Sequence, residues 1–330
     1  MRRPPRAQWN YRPGISKVPV WGRSGFGEKE INMRVFVTGA TGFIGSAVVH
    51  ELIDAGHQVT GLARSDQGAA SVQAAGAEVH RGSIEDLDSL RSGAAASEGV
   101  IHTAYIHDFT PTGDPRAAAE KDGRAIEALG DGLAGTGRPL VVATGNLVTP
   151  GRVPTEDDVA PRDAPHPRIS EPVALGLADR GVRVSVVRLP PSVHGEGDHA
   201  FVPALIGIAR ATGLAACVGD GSNRWAAVHR LDAAHLFRLG LEAAPAGTRL
   251  HGIGDEGVPF REITEVIGRQ LGLPVKSISA EEAADHFGAF AMFASLDAPG
   301  SSALTRERFG WQPVQPGLIA DLEEGHYFKQ

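Results

Sequence analysis

Cysteine is nearly missing from this chain. The single one, Cys217, can form no disulfide within the molecule and anchors no metal-binding spacing, so no metal site is expected and a reducing, cytoplasmic setting is. Lying in the apolar stretch 214–218, it reads as a small core residue, with a reactive thiol the alternative. Basic excess is missing too. A formal net charge of −7 argues against nucleic acid or an anionic membrane as the main partner, and leaves a small-molecule substrate and a homodimer as the expected associations. No run approaches the roughly 20 apolar residues needed to span a bilayer. Tyrosine is scarce: Tyr11, Tyr105 and Tyr327 are the only three, and none has a lysine four residues later.

What is present suffices for a large core. With 330 residues, 42% of them hydrophobic, the chain can form one large domain or two unequal ones. Residues 1–32 stand apart, with Arg2, Arg3 and Arg6 among prolines, then Trp9, Tyr11 and Trp21, and no apolar periodicity. They read as a flexible arm, or alternatively as a docking arm using the aromatics. No apolar stretch follows the paired arginines, so a secretory signal is excluded.

The organising stretch is 33–45. The apolar run Val35, Phe36, Val37 suits a buried parallel strand; Gly39, Gly42 and Gly45 follow, and then an apolar-periodic helix begins. In such a turn Gly39 permits the tight bend, Gly42 lets the backbone approach a pyrophosphate, and Gly45 lets helix and strand pack closely. Thr41 and the backbone of Phe43 and Ile44 complete the cradle, at the positive end of the helix dipole. Further strands are expected at 58–62, 78–80, 99–102, 140–144 and 183–188, alternating with helices. This predicts an α/β fold: a Rossmann doubly wound parallel sheet with a smaller C-terminal α/β substrate domain. The expected division is 33–190 for dinucleotide binding, with 226–255 returning to it, and 191–330 mainly for substrate. At the end of the second strand stand Arg64 and Ser65 where an NAD-preferring protein usually has an acidic residue, so NADP is the expected cofactor and NAD the alternative.

The Thr-Gly-x-x-Gly-x-x-Gly spacing resembles the extended and atypical branches of the short-chain dehydrogenase/reductase superfamily, whose later motifs can be followed over nearly all of 33–330. The resemblance implies that Ser83 and Ile84 lie beside the adenine, with Ser83 where the family often has an acidic residue. It also implies that Thr103, Ala104 and Tyr105 run along the inner side of the cofactor. His102 is expected to be a buried, satisfied histidine. The family's usual catalysts, a tyrosine and a lysine four residues later, are missing. Its strand-end Thr-Ser-Gly is similar to Ala143-Thr144-Gly145, so Thr144 is expected to hold the substrate oxygen with Asn146 beside it. Where tyrosine and lysine would stand, the chain has His166 and Arg168, leading into a helix over 173–180. One reading makes His166 the proton donor and Arg168 a fixed positive charge; the other makes them ordinary loop residues.

Arg188-Leu189-Pro190-Pro191-Ser192-Val193-His194-Gly195 resembles the family's segment beneath the nicotinamide, which implies contacts from Pro190 and Val193 and makes His194 a rival proton donor. Arg224 matches the arginine that often holds the diphosphate of a nucleotide-linked sugar, and Trp225 offers an apolar wall; His229 and Asp232 are expected to join the domains. The leading expectation is NADPH-linked reduction or oxidation of a small carbonyl or alcohol. Two alternatives stand beside it: an epimerase or dehydratase acting on a sugar-like substrate, and a redox sensor that binds NADP without turnover.

Overall fold

Val35, Phe36 and Val37 are completely buried, as an apolar run of three requires of a strand covered on both faces. In the computed structural model, which describes residues 32–106, 114–159 and 169–329, they form β1 (Arg34–Thr38). The expectations for the N-terminal arm, apart from its last residue, and those for His166 and Arg168 fall outside the described residues. From β1 the chain alternates through α1 (Phe43–Asp54), β2 (Gln58–Ala63), α2 (Asp66–Ala74), β3 (Glu78–Arg81), α3 (Leu87–Ala95), β4 (Gly99–His102) and α4 (Pro115–Leu133). It continues through β5 (Pro139–Gly145), α5 (Ser170–Gly176) and β6 (Arg183–Leu189). Each of the six expected strands forms within one residue of its expected limits.

The remainder runs through β7 (Ser192–His194), α6 (Phe201–Thr212), β8 (Ala215–Val218), β9 (Arg224–His229), α7 (Arg230–Ala243), β10 (Thr248–His251) and β11 (Asp255–Pro259). It closes with α8 (Phe260–Leu271), β12 (Val275–Ile278), α9 (Ala280–Phe287), α10 (Ala291–Ala294), α11 (Ala303–Phe309), α12 (Leu318–Glu323) and a 3-10 turn at His326–Phe328. The helix expected over 173–180 is shorter and starts earlier: α5 gives way to a 3-10 turn at Leu177–Arg180. That turn ends at Gly181, whose φ of 73° makes the tight entry into β6 possible.

Seven parallel strands form the main sheet in the order β10-β6-β5-β4-β1-β2-β3. The chain leaves β1 in one direction for β2 and β3, and returns to the other side for β4, β5 and β6. Strand order therefore reverses between β1 and β4, and the crevice outside their carboxyl ends is where such sheets bind ligands. The seventh strand, β10, and helix α7 come from 230–251 yet belong to this half. Glu51 of α1 pairs with His235 at 2.9 Å and with Arg238 at 2.7 Å, fastening α7 against α1. A second, smaller half holds the sheet β11-β9-β7 and the pair β12-β8 around Val202, Ile206, Trp225, Phe260 and Ile263. Cys217 is buried in this core, as expected of a small apolar residue.

Candidate cofactor and active site

The three glycines of the β1–α1 turn are demanded by space. Gly39 has a φ of 72°, and a Cβ there would lie 2.7 Å from the Ala104 nitrogen and from Thr103 Oγ1. A Cβ on Gly45 would overlap the Gly39 carbonyl. Gly42 differs: a Cβ would meet only Gly39 O, at 3.2 Å, so what its missing side chain leaves is open space outside the turn. The same residue caps α1 with no side-chain hydrogen bond. By contrast Ser65, Asp86 and Asp114 cap α2, α3 and α4 with side-chain oxygens. Among the described residues the amino end of α1 is thus uncapped by any side chain, and the positive end of its dipole faces the crevice at the strand-order reversal. This is the chemistry a dinucleotide diphosphate needs, and the residues present fit it. Thr41 is exposed beside the turn, while Phe43 and Ile44 open the helix.

At the end of β2, Arg64 is exposed, and no hydrogen bond or ion pair holds it among the described residues. Ser65 is engaged otherwise: its Oγ accepts from Gly68 N at 3.1 Å and starts α2. Arg81 stands opposite Ala63 in the register and reaches Asp66 at 2.7 Å. The carboxylate two residues after Arg64, that of Asp66, is thereby paired with a guanidinium. Ser83, partly buried, accepts from Glu85 N at 3.3 Å within its turn, and Ile84 is half-buried beside it.

Across the reversal point, Thr103 donates to the Thr38 carbonyl at 2.8 Å, so its hydroxyl locks the ends of β1 and β4 together. Ala104 packs under Gly39, and Tyr105 is half-buried at the end of the same loop. Thr144, at the carboxyl end of β5, is only 7% exposed, and its Oγ1 has no partner among the described residues. Two residues on, Asn146 donates from Nδ2 to Pro299 O at 3.3 Å, while its Oδ1 is buried and unpartnered among the described residues. Buried polar atoms are seldom left unpaired in a folded chain. Pro190 is buried and Val193 half-buried, packing toward the core of the large sheet.

Other expected site residues are placed differently. His194 is completely buried; its Nδ1 meets Asp321 Oδ2 of α12 at 2.7 Å. Because side chains alternate along a strand, Val193 faces the large sheet and His194 turns away toward the C-terminal helix. Its Nε2 is buried and, among the described residues, without a hydrogen-bond partner. Arg224 grips Asp297 with Nε at 3.1 Å and Nη2 at 2.9 Å, so its charge is matched within the chain. That hydrogen-bonded guanidinium holds the Asp297 carboxyl below its usual pKa. Trp225 is no cleft wall: it is wholly buried, ringed by Phe201, Phe260 and Phe290, and its indole N–H donates to Phe293 O at 3.2 Å. His102 is buried and satisfied as expected, between Thr38 Oγ1 at 2.7 Å and Asp122 Oδ1 at 3.0 Å.

Known proteins carry the same pattern. The profile of the NAD dependent epimerase/dehydratase family matches residues 35–142, which span β1 to β5. An uncharacterized protein of Schizosaccharomyces pombe is 48% identical over 298 residues, covering 90% of this chain and 100% of its own length. This chain belongs to the NAD dependent epimerase/dehydratase family. A 2-alkyl-3-oxoalkanoate reductase of Stenotrophomonas maltophilia is 28% identical over 257 residues, 73% of this chain and 77% of that protein. Among solved structures, a dTDP-glucose 4,6-dehydratase of Streptomyces venezuelae with NAD bound superposes with a TM-score of 0.71 at 20% identity, covering 90% and 97% of the two chains.

As a member of this family, the chain shows further residues near the crevice that motif reading passed over. Arg230, the first residue of α7, places its guanidinium carbon 5.1 Å from the centre of the Phe43 ring, and His199 meets the same ring edge-on at 6.0 Å. The Tyr327 hydroxyl accepts from Gly195 N at 3.0 Å and donates to Asp198 Oδ2 at 3.1 Å. Burial first, and the Asp198 charge second, push the Tyr327 phenol far above its usual range, so it stays protonated as a clamp on the loop that follows β7. Arg230 did carry a sequence signal. A cation at the first turn of a helix opposes the dipole there and calls for a reason.

Proposed function

We propose that this family member is a nicotinamide-dependent oxidoreductase that reduces a small carbonyl compound or oxidises the corresponding alcohol, with NADPH preferred over NADH. The observation that carries the reading is that two of the buried side-chain atoms left unpartnered among the described residues, Thr144 Oγ1 and Asn146 Oδ1, stand together at the carboxyl end of β5 beside the strand-order reversal. Bound in the crevice, a nicotinamide dinucleotide supplies or accepts the hydride. Thr144 then donates a hydrogen bond to the substrate oxygen and stabilises the negative charge that grows on it. Asn146 Oδ1 accepts from a donor group on the same substrate. In this proposal His166 passes the proton and Arg168 supplies a fixed positive charge, replacing the family's tyrosine and lysine.

The reductase named among the relatives acts, by its name, on a 2-alkyl-3-oxoalkanoate, which supports a carbonyl substrate. Arg224 was the reason to consider a sugar nucleotide, and its bidentate pairing with Asp297 weakens that alternative. NADPH is favoured because Arg64 stands unengaged at the end of β2. Titration of NADPH and NADH into the parent protein and into Arg64→Ala tests this directly. The expected result is NADPH preference in the parent, reduced about tenfold in the variant. Equal affinities in both proteins would reject the preference. A carbonyl screen with net loss of NADPH absorbance separates reduction from a cycle that returns the cofactor unchanged.

A further inference from the structure

At the mouth of the crevice stands a guanidinium that no carboxylate of the described residues pairs with, although Asp232 lies in the same first turn of α7. Helices α1 and α7 pack together, and both begin at this edge, the first at Phe43 and the second at Arg230. Each amino end carries the positive pole of its helix. Arg230 adds a full cation at the worst position for it in α7, and its guanidinium lies over the Phe43 ring, one residue beyond the bare cap Gly42. Among the described residues no carboxylate pairs with Arg230 and no hydrogen bond engages its guanidinium. The other arginines of α7 and β9 differ: Arg238 pairs with Glu51 and Glu242, and Arg224 with Asp297. Glycines clear the space around Arg230. Gly195 has a φ of 134°, and a Cβ there would crowd His229 Nε2 at 2.9 Å and the Arg230 side chain at 3.3 Å; Gly197 lies next to Arg230 Nη1.

The geometry points to Arg230 as a ligand of the cofactor's diphosphate, supplied from the far end of the sequence to complete the anion site that the β1–α1 turn begins. The Phe43 ring holds the guanidinium flat by cation–π contact, leaving its N–H fork free for phosphate oxygens. Bound diphosphate then neutralises two helix ends and one side chain together. This inference rests on the dinucleotide reading above and deepens it, since it names an unassigned residue and the part of the cofactor it recognises.

The test uses the full-length protein, the variants Arg230→Gln and Arg230→Lys, and calorimetric titration with NADPH, ADP-ribose and 2′-AMP. ADP-ribose carries the diphosphate without the nicotinamide, and 2′-AMP carries the adenosine phosphate without the diphosphate. Arg230→Gln is expected to weaken NADPH and ADP-ribose alike by about tenfold and to leave 2′-AMP within twofold, with Arg230→Lys between. A thermal melt without nucleotide is the second readout. Removal of an unbalanced cation from a helix start is expected to leave the melting temperature of Arg230→Gln equal or higher. A purely structural arginine would lower it. Unchanged ADP-ribose affinity in Arg230→Gln, or a fall confined to a protein with a lowered melting temperature, overturns the assignment. If the parent binds none of NADPH, NADH and ADP-ribose, the dinucleotide reading itself fails, and this inference with it.

Discussion

Thr144 carries a buried hydroxyl without a partner among the described residues, and this makes it the sharpest single-residue probe of the site. An unsatisfied buried hydroxyl costs about 1–3 kcal/mol. Thr144→Val keeps the shape and removes that cost, so its melting temperature should equal or exceed the parent's. Turnover of an identified carbonyl should fall about 100-fold, with dinucleotide affinity within twofold of the parent. A variant that loses stability and keeps activity would assign the hydroxyl to folding instead. The position of Thr144 at the end of β5 was legible because a residue at a strand's carboxyl end is fixed by the strand itself. It failed for Trp225, since residue type alone does not say which of two alternating faces a strand turns inward. It also failed for Arg224, because a match to a ligand-binding arginine does not disclose an aspartate 73 residues later in the chain.

Among the elements, the β1–α1 turn separates folding from binding within four residues. A methyl group at Gly45 would collide with the Gly39 backbone, which cannot yield cheaply, whereas at Gly42 the nearest obstacle is 3.2 Å away and the space beyond is open. Gly45→Ala should therefore lose about 3 kcal/mol in a denaturant titration. Gly42→Ala should lose about 1 kcal/mol or less, yet bind ADP-ribose at least tenfold more weakly because its methyl group occupies the approach to the diphosphate. Equal destabilisation by both would remove the case for Gly42 as a contact position. Elements with a clean period, β1 to β6, were legible to within a residue. The strand β10 was not legible. Three of its four residues, Thr248, Arg249 and His251, are polar, and the partners that let Arg249 and the buried His251 sit in the sheet, Glu171 for the first and Ser301 and Arg188 for the second, are all distant in sequence.

For the molecule as a whole, Arg188 is the point where distant segments meet. Completely buried, it donates to both oxygens of Glu171 at 2.7 and 2.6 Å and to Asp158 O at 2.7 Å, while Arg249 of β10 reaches the same carboxylate at 2.8 Å. Burial alone would raise the Glu171 pKa; hydrogen bonds and charge from Arg188 and Arg249 outweigh it and hold the carboxyl below its usual value. A carboxylate whose pKa is lower in the folded state stabilises the fold above its unfolded pKa, and that contribution is lost as pH falls through the folded value. Glu171→Gln should thus cost about 3 kcal/mol at pH 7, because it leaves buried guanidinium charge unmatched. The gap between parent and variant should close progressively below pH about 4.5. A gap that stays constant from pH 7 to pH 3 would show that shape, and not charge, sets the contribution.

The six residues of β9 begin in one core and end at the other. Trp225 is embedded in the smaller half, Val228 belongs to the core of the large sheet, and the next turn presents Arg230 to the crevice. Over so short a strand, at about 3.3 Å per residue, there is no slack to absorb a shift. The smaller half is therefore not an interchangeable attachment. Grafting it from another member of the family, or repacking the aromatic cluster around Trp225 for a new substrate, would change the position of a cofactor-side arginine unless the register of β9 were preserved.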